Sequence, residues 1–254
     1  MNLVRRQSDT EPDVRSLTRS FQGAGRLEEY PIRTLLVTFR HNGPQLPIGA
    51  FRGGIVEKVG RQHTLFHNHD DAGGSLYRYP LIQYKRVDGQ PVILCLGTGV
   101  EEIHRLFLRS DWTVDILGQP VRLQVDRLDL RTHNLRLSPR WQTYRLSNWQ
   151  GLNRENRMRF HAARNAYEQK AMLERILTAN MLAFAKGIGW QVEGRVLAEV
   201  PEPPLLKTRQ FKGIDIDVFD LELRTNMVLP EAVGLGKAVS IGYGVLERIE
   251  TNQI

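Results

Sequence analysis

An α+β fold is predicted from three observations on this 254-residue chain. Segments between about residues 30 and 130 follow the order strand, helix, strand, strand, helix, strand. A long helical run and further strands fill the remainder. Composition is that of an ordinary globular protein, 41% apolar and 25% charged.

Residues 1–25 are polar, carry both signs of charge and end in Gly23-Ala24-Gly25, which reads as a peripheral arm. Residues 32–39, rich in β-branched and apolar side chains, form a strand closed by His41-Asn42-Gly43-Pro44. Phe51, Ile55 and Val59 recur every four residues, so a helix is expected over about 47–59 with Pro47 near its first turn. A strand over 76–85, the turn Asp88-Gly89 and a return strand over 91–96 follow. Thr98-Gly99-Val100-Glu101 has the form of a capping box, opening a helix whose apolar face is Val100, Ile103 and Phe107. A hairpin around Gly118-Gln119-Pro120, within residues 113–130, closes this half. The order is βαββαβ, the ferredoxin-like arrangement.

Ser138-Pro139-Arg140 reads as a boundary, dividing the chain into an arm (1–25), a first domain (26–138) and a second (139–254). The second opens with a strand near 143–146 and a helical run over about 153–186. Leu173, Ile176/Leu177, Met181 and Phe184 form its apolar stripe, and Gly187-Ile188-Gly189 stops it. Strands are expected over 191–200 and 214–223, separated by an exposed connection from Pro201 to Gly213. A glycine-rich segment and a strand over 244–249 follow. This is a looser version of the first half.

Lys+Arg 35 minus Asp+Glu 28 gives +7, and 28 of the 35 cations are Arg. The planar guanidinium suits phosphates and stacks on bases, so the bias points toward nucleic acid. One cysteine, Cys95, excludes a disulfide framework and a Cys-based zinc site; its apolar run makes it a core residue. No stretch approaches the 18 or so apolar residues of a membrane span, and no signal core follows Met1. A cytoplasmic protein is expected.

Chemistry concentrates in two segments. Gly234-Leu235-Gly236-Lys237-Ala238-Val239-Ser240-Ile241-Gly242-Tyr243-Gly244 has the skeleton G-h-G-x5-G-h-G. Gly234, Gly236, Gly242 and Gly244 allow close backbone approach, and their N–H groups with Lys237 offer a phosphate site. Val239 spoils a dinucleotide fingerprint, and Ala238 after the lysine spoils a P-loop. A plain glycine-rich hairpin is the competing reading. In the other segment, His63, His67 and His69 lie within seven residues after the first helix. Two imidazoles titrating near neutrality are what a metal-free RNase needs, one removing the 2′-hydroxyl proton and one protonating the leaving 5′-oxygen. The alternatives are a turn built on Asn68 and Asp70, or a metal site of His67, His69 and Asp70. His41, His104 and His161 carry weaker signals. Arg52, Lys58 and Arg61 flank the histidines. Arg154, Arg157, Arg159 and Arg164 open the long helix, and Lys207, Arg209 and Lys212 sit in the connection. Such groups can track a phosphate backbone. Tyr77, Tyr79 and Tyr84 are base-stacking or core residues.

The chain resembles the CRISPR-associated repeat-processing endoribonucleases of the RAMP superfamily over roughly residues 30–250. The likeness rests on Gly49-Ala50-Phe51-Arg52-Gly53-Gly54, Leu65-Phe66-His67-Asn68-His69-Asp70 and Tyr77-Arg78-Tyr79-Pro80-Leu81-Ile82-Gln83-Tyr84-Lys85. It continues through Ser147-Asn148-Trp149-Gln150-Gly151-Leu152-Asn153, Phe184-Ala185-Lys186-Gly187-Ile188-Gly189-Trp190 and the glycine-rich segment. The resemblance implies two tandem ferredoxin-like (RRM-like) domains, the second less regular, that bind CRISPR repeat RNA. It implies cleavage without metal or other cofactor, leaving a 2′,3′-cyclic phosphate and a 5′-hydroxyl. His67, then His69, are the expected acid–base residues, with Tyr79 or Lys58 stabilising the transition state. Gly234, Gly236, Lys237, Gly242, Gly244, Arg52, Arg61, Arg209 and Lys212 are the expected RNA contacts. CRISPR effector subunits are possible further partners, and the rival role is that of a non-catalytic guide-RNA holder in an effector complex.

Overall fold

Alternation sets the first strand, β1 (Tyr30–Arg40): Leu35, Val37 and Phe39 enter one core, whereas Ile32 enters another. The computed structural model describes residues 29–41, 43–67, 78–211 and 213–249, with the backbone alone at Phe211. Helix α1 (Ile48–Val59) follows with Phe51, Ile55 and Val59 fully buried. Pro47 is its N-cap, a position whose N–H would have no partner in the helix. Strands β2 (Ile82–Val87) and β3 (Gln90–Leu96) form a hairpin whose turn residues Asp88 and Gly89 have φ of 49° and 78°, the left-handed pair that matches strand twist.

Three expectations of this half change. Strand β2 starts at Ile82, not residue 76: Arg78–Leu81 lie outside it, Pro80 has no N–H for a ladder, and residues 68–77 are outside the described set. The capping box does not form, because Thr98 itself has helical angles (φ −63°, ψ −17°) and its side chain makes no cap bond. The segment is two single turns, α2 (Gly99–Glu102) and α3 (His104–Phe107), burying Val100, Ile103 and Leu106. The hairpin β4 (Thr113–Ile116) and β5 (Gln119–Arg122) forms its own two-stranded sheet, with Val114 and Ile116 in the first core. The fourth strand of this half is β6 (Gln124–Trp149).

Strand β6 joins the halves. Its first part pairs antiparallel with β1 from Arg40↔Gln124 to Tyr30↔Leu135. Its later part pairs with β9 (Ile214–Val228) and β10 (Val245–Arg248). Ser138-Pro139-Arg140 lies in a register break between Leu137 and Gln142, so the strand bulges there and continues. The expected single helix over 153–186 is two, α4 (Arg154–His161) and α5 (Ala166–Gly187). Each starts at an asparagine cap: Asn153 accepts from the Asn156 N–H at 2.6 Å and Asn165 from the Glu168 N–H at 2.9 Å. The second cap explains the break. The expected strand over 191–200 shrinks to β7 (Ala198–Glu199), while the expected connection contains β8 (Leu205–Phe211), paired with β9 from Leu205↔Asp220 to Phe211↔Ile214.

The main sheet runs β2-β3-β1-β6-β9, with β7 and β8 on β9 and β10 on β6, all antiparallel. Each half thus has the ferredoxin-like strand order. In the second, the glycine-rich segment stands where a second helix would. The α5 stripe Leu173, Leu177, Met181 and Phe184 is fully buried, a gross gain on the order of 6–12 kcal/mol at about 1.5–3 kcal/mol per side chain. Ile32, Leu94 and Leu96 reach from the reverse of the first sheet into this second core, packing the halves together. Cys95 is a fully buried thiol, as its apolar run implies. Among the described residues, no helix is long and apolar enough to cross a membrane.

Candidate histidine site and nucleic-acid interface

Gly60 closes α1, its N–H donating to Val56 O at 2.9 Å. A single 3₁₀ turn, Thr64–Phe66, then leads to His67. Phe66 anchors the turn in the first core at 1% exposure, and Tyr84 donates its hydroxyl hydrogen to the Phe66 carbonyl at 3.3 Å. Two arginines fix it from outside. Arg52 donates to the His67 carbonyl, and Arg78 donates to Thr64 Oγ1 at 3.0 Å. The His67 ring, half-buried, places Nε2 2.6 Å from the Arg61 carbonyl. A carbonyl only accepts, so Nε2 carries the hydrogen and Nδ1 is the basic atom of the ring.

The neighbouring groups separate. His63 Nδ1 lies 2.9 Å from Glu102 Oε1, tying the end of α1 to α2. Lys58 pairs with Asp111 at 2.9 Å, and this bond with the Thr113 N–H holds the Asp111 carboxyl down to about 2. The Arg61 guanidinium pairs with Glu57 one turn back, with Nε at 2.8 Å. His161 and Arg157 converge instead on buried Asp217, at 2.7 Å and 2.9 Å, in the second half. His69 and Lys212 lie outside the described residues, as do Asn68, Asp70 and Tyr77.

The glycine-rich segment folds over the junction of the two halves. Gly236 has φ of 91°, and a Cβ there would stand 2.7 Å from the Trp149 indole nitrogen; at Gly244 (φ 63°) it would stand 1.9 Å from the Leu235 carbonyl. These glycines permit close packing and turning. Gly234 donates its N–H to Gln83 Oε1 at 3.1 Å and accepts from the Tyr79 hydroxyl at 2.7 Å. Tyr79 is wedged edge-on to Phe184, and burial pushes its phenol well above the ordinary range. Its hydroxyl thus joins the first half to the glycine-rich segment. Lys237 donates to the Leu152 carbonyl at 3.1 Å, and partial burial lowers its pKa.

Beside this segment opens a cleft of about 950 Å³ lined by both halves, with Arg86, Arg127, Arg131, His133, Arg209 and Gly242 among its walls. Arg209 and Gly242 were expected as contacts; His133, Arg127 and Arg131 were not singled out. Their signal is a two-residue alternation, Arg127-x-Asp129-x-Arg131-x-His133, which places four polar groups on one face of a strand. His133 Nε2 lies 3.0 Å from Thr34 Oγ1, and burial, aided by Arg131, lowers its pKa.

A family model described as the Cas6b N-terminal domain matches residues 30–134, and one described as the Cas6b C-terminal domain matches residues 136–249. Among curated proteins, the uncharacterized protein MJ0978 of Methanocaldococcus jannaschii is 30% identical over 105 residues, which is 41% of this chain and 70% of that protein. Among solved structures, a crystal structure of Cas6b superposes with a TM-score of 0.77 at 19% identity, covering 87% of this chain and 100% of that one. A crystal structure of CRISPR RNA processing endoribonuclease Cas6b gives 0.65 at 18% identity over the same shares. Csf5, a CRISPR-Cas type IV Cas6 crRNA endonuclease, gives 0.56 at 13% over 86% and 100%. At these identities the likeness is one of fold, in agreement with the tandem ferredoxin-like halves. Matched over both halves by the two domain models, the chain belongs to the Cas6b family.

Proposed function

We propose that this chain is an endoribonuclease that cuts CRISPR transcripts within the repeat, without a metal, by attack of the RNA's own 2′-hydroxyl. The observation that carries the chemistry is the setting of His67, a ring held through Nε2 to the Arg61 carbonyl just beyond α1, on a turn bound by Arg52 and Arg78. In the proposed step Nδ1 of His67 takes the 2′-hydroxyl proton as O2′ bonds to phosphorus. The P–O5′ bond breaks, and O5′ takes a proton from an acid for which His69 is our candidate. The products are a 2′,3′-cyclic phosphate and a 5′-hydroxyl, with no net proton consumed.

Lys58 is available for the developing phosphorane charge. Its partner Asp111 is largely exposed and screened by solvent, so an RNA phosphate can displace it. Tyr79 has a different part. With its hydroxyl bonded to both Gly234 and Gln83, it positions the glycine-rich segment. RNA binding is assigned to the cleft, with Arg209, Arg127 and Arg131 on phosphates and Gly242 in one wall. The expected contacts Gly234 and Gly244 are buried and shape the segment behind it, and Arg52 and Arg61 stand with His67 outside the cleft lining. Lys237→Ala is expected to weaken RNA affinity and reduce the log–log salt slope by roughly 0.7. Unchanged affinity would reduce the segment to scaffold. Matured guide RNA would pass to CRISPR effector subunits.

Incubation with cognate repeat RNA in excess EDTA tests the reading. Two discrete fragments are expected. Binding without cutting would instead make the chain a guide-RNA holder, and cutting only after metal is restored would make it a metal-dependent hydrolase.

A further inference from the structure

Successive side chains of β2 alternate faces: Ile82 and Tyr84 enter the first core, while Gln83 and Lys85 face the glycine-rich segment. Both polar residues are fully buried. Gln83 is satisfied, accepting from Gly234 N–H and donating to the Tyr79 hydroxyl and the Pro80 carbonyl, each at 2.9 Å. Lys85, two residues on, is not. Among the described residues its Nζ has no hydrogen-bond partner, and burial alone lowers the amine to about 7.

An unpaired amine inside a packed interior is among the costliest arrangements a fold can carry. Methionine would fill a similar volume without that cost, so packing gives no reason for lysine here. Location supplies one. The 3₁₀ turn Val239–Ile241 lies over this part of β2, and a Cβ on Gly242 would stand 3.6 Å from Lys85 Cα. Gly242, Ile241 and Arg86 are themselves walls of the cleft, so the segment packed on Lys85 separates it from the cleft. Val239 anchors the turn at 4% exposure, while Ser240, Ile241 and Gly242 remain partly exposed. Left-handed residues bracket it, Ala238 at φ 53° and Gly242 at 88°. The backbone N–H groups of Ile241 and Gly242 donate back to the Ala238 and Val239 carbonyls within the turn. A lysine stem, with four rotatable bonds, can follow an opening above it.

We propose that Lys85 is a phosphate ligand for RNA held in store beneath the glycine-rich segment: as RNA enters the cleft, the turn Val239–Ile241 lifts and the Lys85 ammonium pairs with a backbone phosphate beside Gly242. The inference rests on the RNA-processing reading above. Unliganded, the amine is hidden and unpaired; bound, it is paired and charged. Part of the affinity for RNA therefore comes from relieving a defect of the free protein.

The probe is a repeat RNA made uncleavable by a 2′-deoxy residue at the cut site. Lys85→Met is expected to raise Tm, weaken affinity for this RNA about tenfold, and lower the salt slope by about 0.7. In the unaltered protein, lysine side-chain NMR should find one amine titrating near 7 without RNA and above about 9 with it. Wild-type affinity and salt slope in Lys85→Met would overturn the inference while leaving the RNA reading intact. Failure of the unaltered protein to bind repeat RNA would overturn both. Should Lys85→Met not fold, the NMR titration decides: a Lys85 amine unmoved by bound RNA sinks the proposal.

Discussion

Replacing His67 by Ala is expected to slow repeat cleavage by roughly 10²–10⁴-fold, the range for loss of one general acid–base group. RNA affinity should change little. The imidazole meets the Arg61 carbonyl through Nε2, and the Arg52 contact is to the backbone carbonyl of residue 67, which Ala retains. The turn Thr64–Phe66 is anchored by Phe66, so the fold should survive the change. Thermal denaturation alongside single-turnover kinetics separates the two effects. Near-normal turnover would transfer the role to another histidine, with His69 first in order. His63 also stands at the end of α1 but is held by the Glu102 carboxylate, whereas His161 is held by Asp217 in the second half.

A single 2′-deoxy substitution at the cut site is expected to abolish cleavage altogether and leave binding intact. The 2′-oxygen is the nucleophile in the proposed step, so its removal deletes a reactant. Phosphate contacts from the cleft arginines do not involve that oxygen. Competition binding checks the second half of the expectation. Continued cutting of the deoxy substrate would mean that water attacks, and would bring back the metal-dependent reading of His67, His69 and Asp70.

Local regularity was legible in the residues, and long-range partnership was not. The α1 spacing of Phe51, Ile55 and Val59, the Asp88-Gly89 turn and the α5 stripe each carry their own geometry, and each stands where the pattern puts it. Pro139 reads as an interruption, yet a bulge absorbs its missing N–H and β6 runs on. Proline-rich letters before Leu205 hid β8, whose ladder depends on β9. Thr98 carries the letters of a cap without the extended backbone that a cap needs. For the site, histidines after the first helix were visible as a cluster, but which ring meets which partner depends on Glu102, Asp217 and the Arg61 carbonyl. Lys85 closes the expected strand over 76–85 with nothing in the letters to mark it as buried. Its burial is imposed by the glycine-rich segment, far along the chain, and only the fold brings the two together.

The chemistry of the newly made RNA ends tests the central claim most directly. Mass spectrometry of the upstream fragment from a reaction in EDTA should show a 2′,3′-cyclic phosphate, and the downstream fragment should accept a labelled phosphate at a free 5′-hydroxyl. A 3′-hydroxyl paired with a 5′-phosphate would contradict it.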